Sequence, residues 1–300
     1  MRPIYARLFA LGLLTLIPAP LAAETMAEMT PDYVTWLDPS LHDAYGKLEI
    51  RRGTVEVPGG VYDLNLGDKY YAVTGPDAAW VLGTLWQNLP DPAIGAIVFQ
   101  NGTSPIDESW ALAVAYYADG HISDQEADEM DYDAIIQYRK DGDAAANQER
   151  LAAGLPEMET IGLTGTPGYD KASRTLHFSV LLRFMADGSE VLNANTWVLS
   201  RHGFVLMNVL GSADQAAEVD AAMPDLIRLV TLREGHRYED FVPGIDTVAD
   251  GGLSALLGGG VAQAGLLVLL LAFLKKGGFV LLALPFVWLK NLFGRKPPTV

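Results

Sequence analysis

The 300-residue sequence has no cysteine. That absence excludes disulfides, thiol nucleophiles, thiolate metal sites and a lipid-modified cysteine. Histidine is scarce. The five are His42, His121, His177, His202 and His236, and no pair has H-x-x-x-H or H-E-x-x-H spacing, so a zinc hydrolase has no local support. The G-x-S-x-G nucleophile pattern is missing. The stretch Gly162-Leu163-Thr164-Gly165-Thr166-Pro167-Gly168 lacks the Lys-Ser/Thr pair of a phosphate loop and reads as an ordinary loop.

Positive charge is also short, with 21 Lys and Arg against 37 Asp and Glu. All the acids lie in 24–250, where only 14 basic residues accompany them, a net charge of −23. Such a surface repels nucleic acid and anionic lipid. Nucleic acid is therefore excluded as a partner, and cations and basic proteins are admitted.

The two ends differ from this acidic middle. Residues 1–23 have Arg2 and Arg7, an apolar run Leu8–Ile17, Pro18 and Pro20, and small residues before Glu24. That is the layout of a secretory signal peptide. Residues 253–274 form an apolar run broken only by Ser254 and Gln263. As a helix the run reaches about 33 Å, enough for a bilayer core of about 30 Å, which predicts a transmembrane helix with the lipid bilayer as partner. All five later basic residues (Lys275, Lys276, Lys290, Arg295, Lys296) follow it. Their position predicts a cytoplasmic C-terminus and a periplasmic or extracytoplasmic N-terminal domain on the bacterial inner membrane. The stripe Gly251, Ala255, Gly259 predicts close helix packing and a homo-oligomer through the membrane helix. Residues 275–300 read as a basic cytoplasmic tail. Its segment 277–289 reads as an interfacial helix, with a second membrane segment as the alternative.

Between the ends, 24–47 is a lead-in, 48–234 the extracytoplasmic domain and 235–252 a juxtamembrane segment. Alternation predicts strands over 48–57, 61–66, 70–74, 93–99, 110–117, 176–184, 191–199 and 204–210, with a last short one in 229–234. Pro76 opens a helix. Ser123–Glu126 and Ser212–Gln215 read as capping boxes ahead of two more. Asp141-Gly142 reads as a break, after which Asp143 caps a further helix ending at Gly154. The expectation is an α+β fold, a mainly antiparallel sheet covered by helices, followed by the C-terminal transmembrane helix.

The densest polar cluster supplies the metal candidates Asp119, His121, Asp124, Asp128 and Asp131. Asp124, Asp128 and Asp131 share one face if the segment is helical, and a divalent cation is the one cofactor such acids admit. The calcium-loop pattern fails, because Glu129 stands at its glycine position. Acids at a helix start and on its solvated face account for most of the cluster. His177 falls on the outer face of its strand and reads as a satisfied surface or second-layer histidine. The run His236–Pro243 supplies the interaction candidates Arg237, Tyr238, Asp240 and Phe241, with plain docking of Tyr238 and Phe241 on the domain the favoured reading.

The residues Ser109-Trp110, Ala118–Asp124, Met130–Asp133, Thr166–Asp170 with His177, and Gly235–Pro243 with Asp246 and Ala249–Ala262 occur in an order that resembles an uncharacterised bacterial family of predicted membrane-anchored proteins, domain of unknown function 2167. The resemblance covers roughly 50–275. It implies a signal peptide, an external domain and a C-terminal anchor, and transfers no catalytic residue. His121 stands where the family's pattern has tyrosine. The element order of 175–234 is similar to the end of the PsbP and Mog1 class of α/β/α sandwich, a likeness of fold only.

Two functions follow. The first is a membrane-anchored binding or scaffolding module acting on envelope proteins. The alternative is an envelope enzyme, a cation-assisted hydrolase using carboxylates near 119–133. The absence of a catalytic constellation favours the first.

Overall fold

The computed structural model describes residues 24–35, 37–57, 59–86, 91–152, 154 and 156–257. Its centre is a seven-stranded sheet. The strands in chain order are β1 (Tyr70–Thr74), β2 (Ile94–Gln100), β3 (Ala111–Tyr117), β4 (Met158–Asp170), β5 (Thr175–Phe184), β6 (Glu190–Ser200) and β7 (Gly203–Ser212). They lie in the order β1-β2-β3-β7-β6-β5-β4, every neighbouring pair antiparallel.

Alternation explains the two faces. In β5, Leu176, Phe178, Val180, Leu182 and Phe184 enter one core, and His177 and Ser179 face the other way. Both faces are covered, so β6 and β7 are buried along almost their whole length. The first face packs against the lead-in (Met26, Leu37, Tyr45), the helix α1 (Pro76–Trp80), its π-helical continuation Val81–Leu85, and Ile135 of the helix α2 (Tyr132–Ala152). The second face packs against Val219, Met223 and Leu226 of the helix α3 (Ala216–Ile227) and a three-stranded sheet of Thr54–Glu56, Tyr62–Asn65 and Val230–Leu232. The cover is thus part helix and part second sheet, and the fold is a mostly antiparallel sheet with a few helices.

Local readings change in three places. Helix α2 runs unbroken through Asp141-Gly142. From it Asn147 brackets the backbone of Met158, and Asp143 accepts from the backbone N–H and the hydroxyl of Thr160, covering the first part of the edge strand β4. The glycine-rich stretch 162–168 is not a loop. It belongs to β4, with register shifts against β5. Ser123 does not open a helix. It ends the strand His121–Ser123, and Glu126 is engaged elsewhere. The Ser212–Gln215 box does form.

The expected transmembrane helix is corrected. Among the described residues no helix is long and apolar enough to cross a membrane. Leu253–Leu256 is a four-residue helix, and Leu253, Leu256 and Leu257 are buried in the first core with the strands above. Burial in protein stabilises the fold by about 1.5–3 kcal/mol per leucine and takes these side chains off any lipid-facing surface. The single-pass inner-membrane placement loses its support with that helix. Gly251 belongs to the strand Val248–Gly252, which pairs parallel to His121–Ser123, so it starts no helical stripe with Ala255. Gly259, the rest of the apolar run, the tail 275–300 and the signal segment 1–23 lie outside the described residues.

Candidate functional site

The sheet's end nearest the β6–β7 turn gathers three segments distant in the chain. The strand His121–Ser123 delivers Asp124. The β4–β5 hairpin delivers Tyr169 and Arg174. The strap 236–252 delivers Tyr238 and Phe241. Arg174 is the sole non-glycine with positive φ, 56°, among the described residues. That left-handed backbone is disfavoured for arginine and persists only where its surroundings hold it.

The β4–β5 turn and the bond from Leu199 N to the Arg174 carbonyl at 2.9 Å fix that backbone, and Asp124 receives its side chain. Its Oδ2 accepts from Tyr169 Oη at 2.9 Å and from Arg174 Nη1 at 2.5 Å. Its Oδ1 lies 3.1 Å from Tyr238 Oη, which also donates to the Ile122 carbonyl at 3.0 Å. Burial raises the Asp124 pKa, but the tyrosine hydrogen bonds and the Arg174 charge outweigh it, so the carboxyl stays below its ordinary range. Tyr238 is pushed up to about 12 by burial and by the neighbouring carboxylate. The guanidinium of Arg174 stands 4.8 Å from the Tyr238 ring centroid, a cation–π contact beside the ion pair.

His121 completes a stack. Its ring lies 3.9 Å from that of Phe241 at 14° and 4.3 Å from that of Tyr238 at 33°. It is buried, its Nδ1 has no hydrogen-bond partner, and burial lowers its pKa. The neutral ring is the form that fits. Below it, Gly120 (φ 98°) lets the strap pass. A Cβ there would stand 2.8 Å from the Ala249 nitrogen.

Two further clasps hold the strap. Arg201 pairs bidentately with Asp246 at 2.7 and 2.9 Å, which holds the Asp246 carboxyl down at about 2. Glu126 Oε1 accepts from Ser254 N at 2.7 Å and Oγ at 2.8 Å.

The metal candidates are therefore spread among separate tasks. Asp119 and His121 flank the Gly120 turn, and Asp124 is engaged by three donors. Asp128 makes an exposed pair with Lys171. Asp131 accepts from Ala134 N at 2.9 Å at the start of α2. Among the described residues no group of three or more His, Asp and Glu is arranged to hold a metal ion. Of the interaction candidates, Tyr238 and Phe241 turn inward and are half-buried. Arg237 is exposed, and its backbone N–H is accepted by the Asp240 carboxylate. Spacing gave no sign of Arg174 or Arg201, Tyr169 entered only as one of the quoted family residues, and Glu126, read as a capping residue, binds Ser254 instead. For Arg174 the one signal was its nearness to the quoted family residues Thr166–Asp170 and His177.

A second polar group lies under α3. His177 Nδ1 is 3.0 Å from Thr196 Oγ1, and its Nε2 is 3.0 Å from Ser179 Oγ. The serine–histidine pair has the spacing of a nucleophile and its base. Ser179 and Thr196 are fully buried, however, so no substrate reaches that hydroxyl.

Comparison with known proteins gives few bearings. No curated protein matches the chain. Among solved structures it is similar to the cyanobacterial PsbP (CyanoP) from Synechocystis sp. PCC 6803, at 12% identity and TM-score 0.35 over 62% of this chain and 92% of that one. It is also similar to the Saccharomyces cerevisiae Ran-binding protein Mog1p, at 10% identity and TM-score 0.30 over 62% of this chain and 96% of that one. Likenesses this slight carry no weight for function. The family model "Protein of unknown function (DUF2167)" matches residues 49–285, and the chain belongs to that family.

Proposed function

We propose that the protein is a binding or scaffolding module whose working part is the strap 236–252, held as a rigid display on the end of the sheet. One observation carries the reading. Asp124, the best-placed carboxylate of the cluster, accepts from Tyr169 and Arg174 and shares the Tyr238 hydroxyl with the Ile122 carbonyl, contacts that tie three segments together and suit it to fastening the strap. The signal-like pattern of residues 1–23 supports a place outside the cytoplasm, with envelope proteins as partners.

Photo-crosslinking in intact cells tests this, with a photoreactive residue at Glu239 on the exposed side of the strap. A discrete adduct is expected for the wild type, and it should fade when Asp124→Ala unfastens the strap. Turnover of an envelope substrate by the purified chain, with no adduct formed, would sink the reading.

A further inference from the structure

The described residues expose six large hydrophobic side chains: Val34, Leu151, Met185, Val242, Ile245 and Val248. Three of the six fall within seven residues of the strap. Scattered apolar side chains on a surface need no explanation, but a local concentration does. Ile245 is 79% exposed and Val248 55%.

The strap is not free to fold these side chains away. Val242 N donates to Asp246 Oδ2 at 2.7 Å, while Ile245 N and Asp246 N donate to the Val242 carbonyl at 3.1 and 3.0 Å. The Asp246 side chain is 4% exposed and locked on Arg201. Gly244 supplies the positive φ, 79°, that the turn requires. Phe241 on one side is stacked on His121, and Val248 on the other pairs with His121 in a parallel ladder. The chain thus turns Phe241 inward and presents Ile245 at the tip of a turn fixed at both ends. An apolar anchor already held in its final shape is what a tight contact uses.

The surroundings state the partner's charge. Between Glu234 and Asp250 there are five acids and one arginine, and of the acids Asp246 is already paired with Arg201. Glu239 and Asp250 are exposed on either side of the turn. A second copy of this chain would set the same acids against one another, and anionic lipid would be repelled in the same way.

We infer that Val242, Ile245 and Val248 form a docking knob for a basic protein partner, one with an apolar pocket rimmed by lysine or arginine. This rests on the binding reading above. The test uses the full chain and a fluorescein-labelled peptide of alternating leucine and lysine, read by anisotropy. The peptide should bind, and Ile245→Asp should weaken it at least tenfold with an unchanged melting curve. Met185→Asp, at another exposed apolar site elsewhere, should leave binding as it was. The leucine–glutamate peptide and neutral phosphatidylcholine vesicles should not bind. No binding, equal weakening by both substitutions, or equal binding of the glutamate peptide or the vesicles would overturn the knob. The crosslinking experiment separates the two failures. An adduct at Glu239 that persists in Ile245→Asp removes the knob and leaves the module. No adduct from the wild type removes the module and the knob together.

Discussion

The two polar clusters of this molecule are built in opposite ways. His177, Ser179 and Thr196 sit on adjacent strands and meet because an antiparallel register brings His177 opposite Thr196. Asp124, Tyr169, Arg174 and Tyr238 come from three segments and meet because loops close over long distances. The first cluster stabilises a sheet that would pair without it. The second ties the strap to the sheet, beside the Arg201–Asp246 and Glu126–Ser254 clasps. The difference teaches that a site made by register tolerates the loss of a side chain better than one made by loop closure.

The strongest way to break this comparison is at Gly120. A valine there faces a φ of 98° and backbone atoms of 247–249 at 2.8–3.1 Å, none of which is a movable side-chain tip. Left-handed strain and overpacking together should cost about 3 kcal/mol or more. Urea unfolding of Gly120→Val gives the loss, and limited proteolysis within 242–248 shows whether the strap has left the sheet. Wild-type stability and protection in that variant would mean that the strap does not lie where it is described.

A finer contrast sets Asp124→Ala against Ser179→Ala. The first removes a charged acceptor from three donors, and the expected loss is about 2–3 kcal/mol. The second removes one neutral hydrogen bond inside a preformed sheet, and the expected loss is about 1 kcal/mol. Equal losses by chemical denaturation would erase the distinction between the clusters.

How much of this was legible in the sequence follows the same division. The β5 alternation from Leu176 to Phe184 and the Ser212–Gln215 box ahead of α3 were readable, because each depends on neighbours within a few residues. The outward face of His177 was readable too, though not that α3 would cover it. The break expected at Asp141-Gly142 does not occur. Asn147 and Asp143 bind the β4 backbone, and that tertiary contact overrides the weak local preference. Leu253 misled for a different reason. A long apolar run has the same composition whether lipid or a sheet face receives its first leucines, and only the partner tells them apart. Within the candidate site, Asp124 and His121 stood out by density of charge. Arg174 did not, because its role arises from a backbone conformation that no spacing records.

The smallest expected effect is in the pH dependence, and it sharpens the comparison, since each cluster holds one histidine, His121 buried and His177 half-buried. Burial lowers the pKa of both His121 and His177. Above about pH 6.5, the unfolded value, both rings are neutral in both states and contribute nothing. Below it the unfolded chain takes up the proton first, so stability falls with pH down to the folded value, by at most about 1.4 kcal/mol per pH unit and histidine. Asp124 and Asp246 face His121 and oppose this shift, but desolvation outweighs them. Asp124 itself acts in a separate, lower window. Its folded pKa is depressed, so its contribution is complete above about pH 3.9 and is lost as the pH drops through the folded value. His121→Phe keeps a ring in the stack with Phe241 and removes the proton. Urea unfolding of wild type and variant between pH 4.5 and 7.5 should show a shallower slope below pH 6.5 in the variant, and the difference between them cancels the carboxylate background. A variant with the full wild-type slope would place His121 in contact with water and the strap off the sheet.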